Sequence, residues 1–266
     1  MRMVPLFLRL FALLPCVLML SPAAMADSRL RTRDPVQLSL IAAGPDQVGL
    51  QVRLAPGWKF YWRSPGEGGV PPRFDWSQSQ NLAKAEIAWP APRRISIGSA
   101  DLHGYTGEVL LPVALTPQRS GEAITLALDV EFGICKEICI LREEKLARLL
   151  PAGMTVDAGA AELLARWQDR VPRPAPEAGI ALAGHRMESG RLVVALHSET
   201  PFERPDLFVE AAPEVWFGRP ELALSADRRA AHFTVPVQPE RALKDSGPLV
   251  LTVTDAGRAA ELRLQP

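Results

Sequence analysis

FGICKEICI, residues 132–140, contains Cys135 and Cys139, two thiols with three residues between them. Thiols at this spacing can exchange with a partner's disulfide, hold a soft metal ion, or close an inert clip at a strand end. Backbone geometry narrows how they meet. A disulfide needs Cα atoms about 4.4–6.8 Å apart. Residues four apart in one extended strand are separated by about 13 Å and cannot bond. On a helix the same spacing gives roughly 6 Å, which permits a strained bond. A tight turn at Lys136, Glu137 and Ile138, with one cysteine ending each strand, brings them to about 4.5–5.5 Å. The run ITLALDVEFGIC is strongly strand-like, so the turn is favoured, with Gly133 expected to supply a bend or bulge before the first thiol.

A ring this small restricts the unfolded chain by only about 2 kcal/mol before strain is subtracted. Close spacing therefore argues for exchange over stapling, although the inert clip stays open. Lys136 stabilises a neighbouring thiolate and Glu137 opposes it. For a metal, one thiolate pair is an incomplete zinc set, and completing it requires His103, a carboxylate or a second molecule. His103 lies in ADLHGYTGE, a polar, glycine-containing stretch expected at the surface. Cu(I) needs fewer ligands and remains an alternative for the two sulfurs. No metal or cofactor is assigned, and His185, His197 and His232 receive no role. No G-x-S-x-G, H-E-x-x-H or glycine-rich phosphate loop occurs in a usable context.

The elements that must position the thiols are short and strand-like. Residues 36–54, VQLSLIAAGPDQVGLQVRL, alternate around a Gly-Pro-Asp turn and predict a hairpin. A strand is predicted through Trp58 to Trp62, followed by an exposed loop from Ser64 to Pro72, where prolines and glycines exclude a long helix. Tyr61 and Trp62 differ in strand parity, so one faces inward and the other outward, available as a lid or docking rim. Of the six tryptophans, Trp58, Trp62, Trp76 and Trp89 lie in the first half, and most of the six are expected in the core. LREEKLARLL, residues 141–150, reads equally as a helix or as a final strand with its charges in water. AGAAELLARWQDRV, residues 158–171, is a clear helix ending at Pro172, and RVPRPAPEAG is a stiff proline-rich linker. β texture then resumes, beginning with two strands around a Glu-Ser-Gly turn in IALAGHRMESGRLVVALHSE. The pattern predicts an all-β chain of two consecutive β-sandwiches, residues 27–152 and 177–266, joined by a helix and linker over 153–176.

Export follows from the opening segment. Residues 1–26 combine Arg2 and Arg9, an apolar stretch from Leu10 to Leu20, and Ala24 and Ala26 in an A-x-A-like exit, which is a secretory signal peptide. Cleavage there removes Cys16 and leaves Cys135 and Cys139 as the only cysteines, in a compartment that permits disulfides. Thirty Lys and Arg against thirty Asp and Glu argue against a nucleic-acid partner.

VRLAPGWKFYWRSPGEGGVPPRFDW, AEIAWPAPRR, GYTGEVLLPVAL and FGICKEICI together resemble the N-terminal periplasmic region of the DsbD-like thiol:disulfide reductases. The similarity is greatest to the branch associated with suppression of copper sensitivity, ScsB. The resemblance spans nearly all of the exported chain, with its specific motifs in the first half. It implies immunoglobulin-like sandwiches and a periplasmic location. It also implies that Cys135 and Cys139 pass electrons from a thioredoxin-like donor, fed through a membrane conduit, to periplasmic thiol oxidoreductases. A loop covering the resting cysteines is a family feature, and Tyr61 to Gly69 is the segment nominated here. The thiols sit closer together than in the best-known DsbD N-terminal domain. The sequence carries neither a transmembrane domain nor a thioredoxin-like C-x-x-C domain, so the donor is expected on a separate chain or on a longer form of this one.

Overall fold

In the computed structural model, residues 34–98, 100–239, 243 and 247–265 are described; the expected signal peptide, residues 1–26, lies outside them. The chain is built almost entirely from antiparallel strands. The first ten are β1 (Val36–Ala42), β2 (Gln47–Leu54), β3 (Lys59–Gly66), β4 (Arg73–Asp75), β5 (Leu82–Ile87), β6 (Arg93–Ile97), β7 (Ala100–Thr106), β8 (Glu108–Pro117), β9 (Ile124–Cys135) and β10 (Cys139–Leu150). They form a four-stranded sheet, β1-β2-β8-β5, and a larger one, β10-β9-β3-β7-β6, in which β4 also pairs with β9. Val48, Leu50 and Val52 of one sheet meet Phe60, Leu126, Leu128 and Val130 of the other in one buried cluster. The clean alternation of ITLALDV is what delivers every second β9 side chain to that cluster.

Helix α1 (Ala158–Gln168) starts at Asp157, whose side chain accepts from the Ala160 amide at 2.9 Å. It buries Leu164 with Ala43 and Leu110. Beyond it come β11 (Arg173–Pro174), a short 3-10 turn at Ala175–Ala178, β12 (Ile180–Glu188), β13 (Arg191–Ser198), β14 (Pro205–Glu210), β15 (Trp216–Phe217), β16 (Glu221–Leu224), β17 (Ala230–Gln238), β18 (Leu249–Asp255) and β19 (Arg258–Leu264). They make the sheets β11-β19-β18-β14 and β12-β13-β17-β15, with β16 also on β17. A second core, including Leu192, Val194, Phe233, Val235, Leu251 and Val253, lies between them. The chain is thus all-β, two immunoglobulin-like sandwiches in succession.

One open reading is decided and two local expectations change. Residues 141–150 are strand, not helix: β10 pairs with β9 without a break from Cys139↔Cys135 to Leu150↔Ile124. The open edge of β9 offers twelve residues of ladder, and that tertiary pairing overrides the helical preference of Leu, Glu, Lys and Ala. The charges of β10 then sit on a sheet edge, where they discourage pairing with another chain. Strand β3 runs to Gly66, four residues past the predicted end, and its pairing with β7 shifts between Tyr61 and Gly66. Gly133 makes no bend or bulge, because the β9–β10 register passes straight through it.

Candidate functional site

Strand register on the outer face of the larger sheet builds the site. Cys135 ends β9, Cys139 begins β10, and the two are direct cross-strand partners joined by a disulfide with Cα atoms 4.1 Å apart. Lys136, Glu137 and Ile138 form the connecting turn, closed by the Lys136 amide donating to the Ile138 carbonyl at 3.0 Å. On the other side of β9, Lys59 faces Cys135 and Phe60 faces Ile134. Period-2 alternation therefore puts Lys59, Tyr61, Gly133, both cysteines and Leu141 on one face, and Phe60 and Ile134 in the core.

The two sulfurs have different surroundings. Cys135 is 3% exposed, packed with Tyr61 and Leu102 and flanked by Ile95 and Ile97. Cys139 is exposed. The Tyr61 hydroxyl lies 3.1 Å from the Cys139 sulfur, and since a disulfide sulfur carries no proton, the hydroxyl donates. Burial raises the Tyr61 pKa above its ordinary value, which keeps that proton on oxygen. The same hydrogen bond to a thiolate would be charge-assisted and stronger. Nearby, Lys59 Nζ donates to the Lys136 carbonyl at 3.3 Å and steadies the turn.

Gly133 explains how Tyr61 fits. A Cβ there would lie 2.7 Å from Tyr61 Cε2 and 2.9 Å from Cδ2, with Val70 Cβ at 3.5 Å. The tyrosine ring rests on bare backbone, and Val70 reaches the same glycine after the turn that the Gly69 amide closes on the Gly66 carbonyl. Glycine inside a strand signals such a close approach. Tyr61 and Trp62 do lie on opposite faces, but neither is exposed: Trp62 is in the core and Tyr61 is covered by Leu102 and its neighbours. Of the four tryptophans in the first half, Trp62 is in the core and Trp58, Trp76 and Trp89 are partly buried against it.

Around Cys139 the surface is apolar. Ile138 is 69% exposed, Leu141 70% and Val70 41%. A cleft of about 440 Å³ opens beside them, lined by Val70, Pro71, Phe132 and Leu141 with Arg73, Glu131, Arg142 and Glu143 at its rim. Exposed apolar side chains in a cluster mark a contact surface. Nothing in the sequence signals this patch, because Ile138 reads only as part of the turn and Leu141 only as the start of the next element.

His103 is not the surface residue expected. It is 7% exposed on β7, its Nδ1 donating to the Ser64 carbonyl at 3.0 Å and its Nε2 accepting from Arg94 at 3.1 Å. Burial, reinforced by Arg94, pushes its pKa down to about 4, so the imidazole is neutral near pH 7. Both ring nitrogens are committed, so His103 does not complete a metal set with the cysteines. Among the described residues no group of three or more His, Cys, Asp or Glu is placed to hold a metal ion.

Residues 27–151 match the family model described as "Thiol:disulfide interchange protein DsbD, N-terminal", and residues 170–266 match a domain of unknown function (DUF8393). Among solved structures, the N-terminal periplasmic domain of ScsB from Proteus mirabilis superposes with a TM-score of 0.69 at 26% identity, over 86% of this chain and 90% of that one. The reduced DsbD N-terminal domain from Neisseria meningitidis has a TM-score of 0.27 at 16% identity, over 42% of this chain and 82% of that one. No curated protein sequence matches the chain. No helix among the described residues is long and apolar enough to cross a membrane.

Proposed function

Because residues 27–151 form a DsbD-like N-terminal domain, we propose that the chain is a periplasmic thiol:disulfide exchange module working through Cys135 and Cys139. In this reading residues 27–152 carry the exchange, 153–176 are helix and linker, and 177–266 are the second sandwich. The observation that carries the proposal is the unequal exposure of two bonded cysteines at the tip of a hairpin, with the exposed apolar side chains Ile138, Leu141 and Val70 on the surface around them.

The chemistry follows from access. A thiolate of a thioredoxin-like donor attacks the Cys139 sulfur, the only one of the pair open to a protein nucleophile. The S–S bond breaks, its electron pair leaves on the Cys135 sulfur, and that sulfur takes up a proton. The donor's second thiolate then attacks its own sulfur in the mixed disulfide and releases Cys139. Cys139 takes up the second proton, so the donor ends as a disulfide and this chain has gained two electrons and two protons. Toward a downstream periplasmic oxidoreductase the steps reverse: Cys139 attacks the disulfide and Cys135 resolves the intermediate. Tyr61 serves by donating to the Cys139 sulfur whenever that sulfur carries thiolate charge, as the group released from the donor and as the nucleophile poised to attack the downstream disulfide. A membrane electron conduit feeds the donor, and copper stress is the setting in which damaged thiols call on the pathway.

Trapping tests the proposal. A Cys135→Ala chain keeps the open sulfur and lacks the resolving one, so it should accumulate a mixed disulfide with a thioredoxin-like partner on non-reducing gels. Cys139→Ala should trap far less. Equal trapping by both variants, or none by either, would overturn the assignment.

A further inference from the structure

Strand β3 carries Tyr61 to the cysteines, and the three residues that follow are held from the second sandwich. The Trp62 ring meets Phe208 edge-on at 5.9 Å. Arg63 donates from Nε and Nη2 to Glu210 at 2.9 and 2.7 Å, and from Nη2 to Glu261 at 2.8 Å. The Ser64 carbonyl is held by His103, and His103 by Arg94. Arg94 in turn donates to both carboxylate oxygens of Asp206 at 3.0 Å and to the Leu207 carbonyl at 2.8 Å. Asp206, Leu207, Phe208 and Glu210 all belong to β14, and Glu261 to β19 beyond it. One strand of the second sandwich therefore grips three consecutive residues next to Tyr61.

The grip is placed where β3 lacks its own support. Ladder pairing between β3 and β7 is interrupted between Tyr61 and Gly66, and the β3–β9 pairing stops at Phe60. Backbone not fixed by a ladder must be fixed by side chains or it fluctuates. Burial works against the Arg63 charge, but Glu210 and Glu261 outweigh it and hold the guanidinium protonated. Both relays are ionic and largely screened from water, conditions in which paired charges couple strongly.

We propose that the second sandwich is a positioning device for the thiol pair, in which β14 clamps Trp62–Ser64 and so holds the Tyr61 hydroxyl on the Cys139 sulfur. Glu210, Glu261 and Asp206 are positioning residues; they act through Tyr61. The inference rests on the exchange function proposed above and adds a role for residues 170–266.

The test uses the full chain, reduced, with iodoacetamide alkylation of Cys139 followed by mass spectrometry across pH. Tyr61→Phe removes the donor and displaces the pH profile. The paired variant Glu210→Gln with Glu261→Gln, and separately Asp206→Asn, should displace it in the same direction while circular dichroism stays native. Amide exchange over residues 62–69 should accelerate about tenfold in both. In a Tyr61→Phe background the Glu210→Gln and Glu261→Gln changes should no longer move the profile, because their route of action is gone. An unaltered profile in a natively folded anchor variant, or an undiminished displacement in the Tyr61→Phe background, would overturn the proposal. Alkylation reads the coupling without any partner, so it stays informative even if no protein exchanges with the thiols.

Discussion

Gly133→Ala isolates the contact on which the site depends. The new methyl would sit 2.7 Å from Tyr61 Cε2, against the roughly 3.5–4.0 Å that carbon atoms require. The ring must therefore retreat by about 1 Å. Because the hydroxyl is rigidly attached to the ring, its 3.1 Å contact with the Cys139 sulfur stretches to about 4 Å and the hydrogen bond is lost. Overpacking of this kind costs about 1–3 kcal/mol. Alanine offsets up to about 1 kcal/mol of it by restricting the unfolded chain, since Gly133 does not have the positive φ that would strain a substitution. The net expectation is a loss of roughly 1–2 kcal/mol in urea unfolding of the oxidised protein. Slower exchange with a thioredoxin-like partner should accompany it. In a Tyr61→Ala background the clash has no partner, so the stability penalty should disappear. An equal penalty in both backgrounds would refute the account of why glycine stands in this strand.

Two further outcomes follow from the site and its surroundings. Leu141→Lys replaces an exposed side chain, so unfolding free energy should change by no more than about 0.5 kcal/mol, and reduction by a small dithiol should be unaffected. Exchange with a protein partner should slow about tenfold if the apolar rim is a contact surface, measured by stopped-flow fluorescence. His103 has a folded-state pKa of about 4, below its ordinary 6.5, so the unfolded chain binds a proton there that the folded chain refuses. Its neutral, buried state thus costs nothing above pH 6.5 and removes stability as pH falls from there to about 4, by roughly 3 kcal/mol in total. The opposing carboxylates Asp206 and Asp101 and the neighbouring Arg94 are already included in that shift. His103→Gln should flatten the acid limb of the stability curve between pH 6.5 and 4. An unchanged slope would show that another group governs it.

The meeting of Cys135 and Cys139 across a tight turn, and the strands that carry them, were legible in the sequence because each is a local matter. The spacing of Cys135 and Cys139 excludes a single extended segment, and the alternation of ITLALDV fixes which β9 residues enter the core. The hairpin over 36–54 and the Glu-Ser-Gly turn were readable for the same reason: alternation and turn residues act over a few positions. Helix α1 was readable too, from its apolar spacing and the proline beyond it.

Tertiary structure decided what depends on neighbours distant in the chain. Residues 141–150 hold no local preference strong enough to choose, and the free edge of β9 made them a strand. Gly133 looked like a bend, yet the ring of a residue 72 positions earlier is what requires it. Strand parity separated Tyr61 from Trp62 but could not say that both faces of β3 would be covered, one by the core and the other by Leu102 and its neighbours. The unequal exposure of the two cysteines, the commitment of His103 to Ser64 and Arg94, and the contacts of β14 with Trp62–Ser64 arise only when separate strands pack. Spacing and alternation are properties of consecutive residues; burial and ionic coupling are set by whatever the folded chain brings alongside.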